Sequence, residues 1–250
     1  MEWKQLIATR PRKRIYREGD ACIKLFDAGY SKADILNEAL NQARIEETGL
    51  HIPGIREVLT IDGCWAIVSD FIAGKTLAQH IEEEPEKKAE YLAMLVDLQM
   101  EVHTKSSPLL NKLIDKMHRK ICQTDLDATT RYDLHMRLEK MPKHSKLCHG
   151  DFIPSNVILT PEGVPYILDW SHATQGNASA DAARTFLRLS LEGDHEGAST
   201  YLAIFCEKTG IDETYVRRWL PIVAASQSVK GEPEEREFLL SCVNAVEDYE

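Results

Sequence analysis

Hydrophobic and polar positions follow two different periods along the chain, and the change of period divides it. Up to about residue 72 the apolar residues come in short, β-prone runs: Leu6-Ile7-Ala8, Arg14-Ile15-Tyr16, Ala21-Cys22-Ile23-Lys24-Leu25-Phe26, Val58-Leu59-Thr60-Ile61 and Cys64-Trp65-Ala66-Ile67-Val68. Pro11, Gly19-Asp20 and Asp62-Gly63 punctuate them, and Asp-Gly between two such runs predicts a hairpin with a type I′ turn. Side chains alternate across a strand, so Cys22, Lys24 and Phe26 share one face of the third run, with Ile23 and Leu25 on the other. One helix interrupts the strands. Ser31 with Asp34 resembles a capping box, Ile35, Leu36, Ala39, Leu40 and Ala43 make an apolar helical stripe, and Gly49 ends it.

From Ala73 onward the period is mostly helical. Tyr91, Leu92, Leu95, Leu98 and Val102 form one stripe, residues 108–141 carry two further helical patterns before Pro142, and later stripes fall at Phe186/Leu187/Leu189, Tyr201/Ile204/Phe205 and Trp219/Leu220/Ile222/Val223. The run from Glu82 to Lys88 around Pro85 reads as a solvated link. One stretch departs from helical spacing: Leu147 to Trp170, LCHGDFIPSNVILTPEGVPYILDW. There Asn156-Val157-Ile158-Leu159 and Tyr166-Ile167-Leu168 flank a turn-forming Thr160-Pro161-Glu162-Gly163, which predicts a hairpin returning Asp169 beside the loop that carries Asp151 and Asn156. Two carboxylates and an amide oxygen are hard ligands suited to Mg²⁺, and they leave one carboxylate over to act as a base.

Composition narrows the class. A chain of 250 residues, 43% hydrophobic and 28% charged, suits one large soluble domain or two small ones. No stretch approaches the roughly 18–20 apolar residues of a membrane span. Basic residues follow, rather than precede, the first short apolar run, which argues against a signal peptide. The six cysteines are scattered without a CxxC pair, which points to a reducing cytoplasm and away from a zinc site or disulfide framework. His118, His135 and His144 lie apart across turns and form no metal triad by spacing. A formal charge of −10 disfavours nucleic acid and anionic membranes and suits a cationic small molecule.

The spacing in 147–170 carries a resemblance. Asn156 stands five residues after the Asp of His149-Gly150-Asp151, and Ile167-Leu168-Asp169-Trp170 brings a second Asp 13 residues after Asn156. This resembles the catalytic and metal-binding motifs of the aminoglycoside phosphotransferase family, which shares its fold with choline kinases and protein kinases. The resemblance spans about residues 20 to 190. It implies an α+β, bilobal protein-kinase-like fold. The N-terminal nucleotide-binding lobe (residues 1–72) would be a small antiparallel sheet with one helix, and the larger, mainly helical C-terminal lobe (73–250) would bind the acceptor, with a hinge at about 69–74.

The same resemblance implies roles. Asp151 would be the catalytic base, and Asn156 and Asp169 would hold Mg²⁺. Lys24 would hold the α- and β-phosphates of ATP, with GTP also compatible. Glu38, 11 residues before Gly49 and 15 before Pro53, has the family's spacing for the glutamate that pairs with this lysine; Glu46 is its rival. Asp70, Phe71 and Ile72 would form the hinge that meets the adenine. His149 would fix the loop, His103 would pack or cap, and Asp181 in Gly176-x4-Asp181-x-Ala183-Arg184 would brace the catalytic loop. Two departures stand out. The turn Thr9–Arg14 has no glycine where the family carries a phosphate loop: either its basic side chains (Arg10, Arg12, Lys13 and Arg14) replace backbone amides over the phosphates, or the loop does not cover them. Ile153 occupies the place of a basic residue in protein kinases, so transition-state charge must come from metal, Lys24 or that turn.

The function implied is transfer of the γ-phosphoryl group to a hydroxyl of a small, cationic molecule of the aminoglycoside, choline-like amine, homoserine or amino-sugar class, by a cytoplasmic monomer or homodimer. Two alternatives fit the same residues: a nucleotide-binding regulator without turnover, and a protein kinase. Against the latter, only 11 residues separate Asp169 from Asp181, too few for a peptide-docking activation loop.

Overall fold

The computed structural model describes residues 5–229 and 233–244. In chain order the elements are β1 (Gln5–Arg10), β2 (Lys13–Glu18), β3 (Ala21–Phe26), α1 (Lys32–Glu46), β4 (Ile55–Ile61), β5 (Cys64–Asp70), β6 (Lys75–Thr76), α2 (Leu77–Glu83), α3 (Lys88–Thr104), α4 (Leu113–Cys122), α5 (Ala128–Lys140), β7 (Lys146–Cys148), β8 (Val157–Leu159), β9 (Pro165–Ile167), β10 (Thr174–Gly176), α6 (Ala178–Leu191), α7 (His195–Thr209), α8 (Glu213–Arg217), α9 (Leu220–Ser228) and α10 (Arg236–Asn244). They form two compact units. One runs to His80 and takes in Ser155–His172; the other holds Ile81–Pro154 and continues from Ala173. The units therefore do not divide at a single point near residue 72, because β6 pairs with β8 and draws the β8–β9 hairpin into the first unit.

The first unit is built on a five-stranded antiparallel sheet in the order β1-β2-β3-β5-β4. The turn of β4–β5 is the expected type I′, with Asp62 at φ 49° and Gly63 at φ 81°. Alternation along β3 holds. Phe26 packs with Ile35, Ala39 and Ile67 under α1, whereas Ile23 and Leu25 pack with Ala66 on the opposite face. Burying a residue such as Phe26 or Ile35 contributes about 1.5–3 kcal/mol, which is what fastens α1 to the sheet.

The α1 stripe is not the one the apolar residues outline. Ser31 caps the helix by accepting from the Asp34 N–H at 3.3 Å, but Leu36 and Leu40 are 41% and 48% exposed. Ile35, Glu38, Ala39, Asn41, Gln42 and Ile45 are the buried residues. Three of these are polar and each has work within the unit: Glu38 meets Lys24, the Asn41 amide donates to Ser171 O at 3.5 Å, and the Gln42 amide donates to Pro53 O at 2.7 Å.

The second unit is mainly helical around buried Leu95, Val96, Leu187, Tyr201, Leu202, Phe205, Trp219, Ile222 and Val223. The α3 stripe shifts slightly from expectation, burying Leu92, Leu95, Val96, Gln99, Val102 and His103. A two-stranded ribbon, β7 with β10, sits among the helices in antiparallel register Cys148↔Thr174. Gly176 closes β10 where α4 comes near: a Cβ there would lie 2.4 Å from Leu113 Cβ. Among the described residues no helix is long and apolar enough to cross a membrane.

Candidate active site

In the first unit, Lys24 points from β3 toward α1 and donates to Glu38 Oε1. Its Nζ also lies 3.7 Å from Asp169 Oδ1, and Lys13 Nζ reaches Asp169 Oδ2 at 3.4 Å. Glu38, 4% exposed, is the glutamate paired with Lys24, whereas the Glu46 carboxylate accepts from the Ile55 N–H at 2.7 Å and anchors the start of β4. Burial by itself would lower the Lys24 pKa, but the negative charges of Asp169 and Glu38 outweigh it and raise the value above the usual lysine range. Asp169 is the mirror image: burial alone would raise it, yet Lys24 and Lys13 hold it far below the usual carboxylate range. Both groups are thus charged.

Asp169 is presented by local backbone geometry. The β8–β9 ladder runs from Val157↔Ile167 to one further bond, Leu168 N–H to Asn156 O at 2.8 Å, so Asn156 and Asp169 stand at the same end of the hairpin. Asp169 itself is left-handed, at φ 58°. A non-glycine residue there is strained, and such strain concentrates where geometry serves a site. Asp169 Oδ1 is buried without a hydrogen-bond partner among the described residues and faces Lys24 Nζ at 3.7 Å.

The basic turn is tighter than Thr9–Arg14. Strand pairing continues to Arg10↔Lys13, leaving only Pro11 and Arg12 as the loop, with Arg12 at φ 61°. Its basic residues do not act alike. Arg12 donates to Gly29 O at 2.6 Å and lies 5.2 Å over the Tyr30 ring, whereas Lys13 turns toward Asp169. The hinge residues are also engaged within the unit. The Asp70 carboxylate accepts from Gly54 N–H at 3.0 Å and Arg56 Nε at 2.7 Å, the Asp70 N–H donates to Gly54 O, the Phe71 N–H donates to Asp20 O, and the Arg17 guanidinium covers the Phe71 ring at 4.1 Å.

Asp151 belongs to the second unit, in the loop that leaves β7. Asn177 caps α6 by accepting from Ser179 N–H at 2.9 Å, and the first turn then aims Asp181 at that loop. Its carboxylate accepts from Gly150 N–H at 2.7 Å, His149 N–H at 3.1 Å and the Gln99 amide at 3.2 Å, and meets His103 Nε2 at 3.0 Å. Burial would raise the Asp181 pKa, but the hydrogen bond and charge of His103, His149 and the loop amide bring it down to about 2. Asp181 braces the loop, as the sequence implied. His103, Cys148 and Asp181 bring ligand-type atoms within 4.8 Å of one another, yet the hydrogen bonds to Asp181 make this a polar knot that shapes the backbone. His149 is fully buried and its Nδ1 accepts from the Asp151 N–H at 3.2 Å, a packing and orienting role.

Sequence reasoning missed two residues beside Asp151. Arg188 Nε lies 3.1 Å from Asp151 Oδ1, outside the angle of a hydrogen bond, so the contact is a charge pair. Arg184 also feels the Asp151 charge; burial lowers its pKa, and its Nε has no hydrogen-bond partner among the described residues. Their spacing, one helical turn apart after Asp181, was the available signal.

A lysine–glutamate pair between a small antiparallel sheet and its helix, and, in the helical unit, an aspartate-braced loop, are the elements of a protein-kinase-like fold. The model of the phosphotransferase enzyme family matches residues 10–220, and the chain belongs to that family. No curated protein matches it in sequence. Solved structures share the fold. An aminoglycoside-3′-phosphotransferase of type VIII superposes with TM-score 0.65 at 16% identity, covering 89% of this chain and 92% of that one. The choline kinase LicA from Streptococcus pneumoniae gives TM-score 0.64 at 17% identity, covering 98% and 92%. A thermostable mutant of aminoglycoside phosphotransferase APH(4)-Ia, in ternary complex with AMP-PNP and hygromycin B, gives TM-score 0.69 at 14% identity, covering 97% and 92%.

The brace makes a pH prediction. The folded Asp181 pKa of about 2 lies below the roughly 3.9 of an unfolded aspartate, so its stabilisation is complete above the unfolded value and is lost as pH falls through the folded one. The difference in unfolding free energy between parent and Asp181→Asn, from denaturant titrations at a series of pH values, should be constant above about pH 5 and shrink by about 2 kcal/mol between about pH 4 and pH 2. A difference that stays constant to pH 2 contradicts this account.

Proposed function

We propose that the chain is an ATP-dependent phosphotransferase that moves the γ-phosphoryl group to a hydroxyl of a small molecule, with GTP a compatible donor. The observation that carries the reading is Lys24, held by Glu38 and facing Asp169 at the hairpin end that also carries Asn156. Phosphoryl transfer asks the protein for positioning and charge neutralisation more than for covalent chemistry. Lys24 holds the α- and β-phosphates. Asn156 and Asp169 fit Mg²⁺: both offer oxygen, and Asp169 Oδ1 accepts no hydrogen bond among the described residues. Bound there, the metal supplies positive charge against the phosphates. Asp151 orients the acceptor hydroxyl and takes its proton, while Asp181 and His149 hold its loop. With the Asp70 and Phe71 N–H groups already bonded, Ile72 is the hinge position assigned to the adenine edge. Lys13, not Arg12, is the member of the glycine-free turn assigned to phosphate.

The intact set of Asp151, Asn156 and Asp169 favours turnover over a purely regulatory role. The start of α6 at Ala178 leaves no peptide platform after Asp169, which favours a small acceptor over a protein. Structural neighbours that are aminoglycoside phosphotransferases and a choline kinase support a hydroxylated amine. A specific observation favours a second acceptor class. Arg188 lies beside Asp151 at 3.1 Å while also meeting Glu192 at 3.2 Å, and Arg184 feels the charges of Asp151, Glu235 and Asp181; guanidinium groups next to Asp151 suit an acceptor with a carboxylate or phosphate, as a hydroxy acid would have.

Asp151→Asn should lower transfer by about 100-fold or more while nucleotide affinity stays near that of the parent; full turnover, or loss of binding, contradicts the role. Asp169→Ala should remove the Mg²⁺ dependence of nucleotide binding measured by titration with and without the metal.

The turn gives a sharper comparison. Lys13→Ala should weaken ATP binding more than adenosine binding, the more so at low salt, and Arg12→Ala should leave both unchanged because Arg12 is occupied by Gly29 and Tyr30. Equal effects of the two substitutions contradict the division of labour.

An ATP-consumption screen of hydroxylated amines, sugars and hydroxy acids separates the acceptor classes. If the acceptor is anionic, Arg188→Met should raise its KM about tenfold or more. An amine acceptor whose KM is unchanged or lowered by the same substitution rules out the anionic class.

A further inference from the structure

In the second unit α4 and α5 pack together, and four polar side chains form a chain of contacts across them. His118 and Cys122 are four residues apart on α4, as are His135 and Glu139 on α5, so each pair shares a helical face. Glu139 Oε1 lies 2.8 Å from His118 Nε2, His118 Nδ1 lies 2.7 Å from His135 Nδ1, and His135 Nε2 lies 3.5 Å from Cys122 Sγ. The two imidazoles stack with centroids 4.9 Å apart. Spacing along the sequence keeps these histidines apart; the helical hairpin brings them together.

The partners dictate where the protons sit. An ionised carboxylate only accepts, so His118 Nε2 carries a proton toward Glu139. A neutral His118 then accepts at Nδ1, from His135 Nδ1–H. That leaves the lone pair of His135 Nε2 facing the Cys122 thiol. Burial lowers the His135 pKa and Arg131 acts in the same direction, with Glu139 opposing them, which favours the acceptor form of the ring that the contacts require. Cys122 is also the exposed cysteine; the other five are buried or half-buried. A nucleophile within reach of a base, with the base oriented by further groups, is the arrangement of an activated thiol.

We propose that Cys122, with His135 as its base and His118 and Glu139 orienting that base, is a modification site for low-molecular-weight disulfides. Cys122 Sγ gives its proton to His135 Nε2 and attacks one sulfur of the disulfide. A new S–S bond forms as the old one breaks, and the leaving thiolate takes the proton back from His135. Cys122 ends as a mixed disulfide, one half of the reagent is reduced to a free thiol, and no other reactant is needed. The proposal does not depend on phosphoryl transfer.

The test uses the full chain and oxidised glutathione. The expected result is a first mixed disulfide mapped by peptide mass to Cys122, absent in Cys122→Ser, and formed about tenfold or more slowly in His135→Gln, where the thiol remains exposed but has lost its base. Glu139→Gln, which keeps the size of the side chain, should slow it by a smaller factor. Equal rates in the parent, His135→Gln and Glu139→Gln would show that exposure alone governs Cys122 and would overturn the proposal, as would first reaction at another cysteine.

Discussion

A charge removed from water must be met by an opposite charge or by hydrogen bonds, and both units are arranged around that constraint. In the first, Lys24 sits between Glu38 and Asp169, and Asp169 between Lys24 and Lys13. Two ammonium groups and two carboxylates come from a sheet, a helix and a hairpin, so satisfying the charges also fixes those elements relative to one another. In the second, Asp181 is met by two backbone amides, a histidine and an amide side chain. Withdrawing one partner from either group would leave a charge or an amide unsatisfied in the interior.

This constraint explains which parts of the chain could be read in advance. The strands and the type I′ turn were legible because alternation and Asp-Gly act locally. The loop–hairpin motif was legible because its residues sit at fixed separations from one another. The buried face of α1 was not. Its apolar pattern points to Leu36 and Leu40, whereas Glu38, Asn41 and Gln42 go inside because Lys24 on β3 and the carbonyls of Ser171 and Pro53 await them there. Glu38 was recoverable only through its distance from Gly49 and Pro53, not through hydrophobicity. Arg184 and Arg188 escaped for a related reason: their spacing puts them on one face of α6 with Asp181, but on a helix rich in alanine and leucine that spacing alone does not distinguish an arginine facing a carboxylate from one facing water.

The glycine-free turn shows how charge can be redistributed. With Pro11 lacking an amide hydrogen and Arg12 held in the left-handed region, the two-residue loop cannot present a row of N–H groups. Of the basic residues around it, Lys13 is paired on both sides, with Arg10 on β1 and Phe26 on β3, and its side chain turns inward to Asp169. Ile153 likewise brings no charge to the loop after Asp151, and α6 brings arginine there instead. In both places a position that is neutral along one segment is compensated by a cation from a neighbouring element of the same unit.

The left-handed backbone at Asp169 has an evolutionary cost built into it. A residue with a Cβ in this region gives up about 1 kcal/mol relative to an unstrained one, and glycine would relieve that penalty at once. The same exchange would strip Lys24 and Lys13 of the carboxylate they share, and breaking a buried pair costs about 3–5 kcal/mol, more than the strain it relieves. Libraries sorted by expression or melting temperature alone should therefore keep an acid at position 169 despite its backbone, and glycine becomes acceptable there only once both lysines have been neutralised.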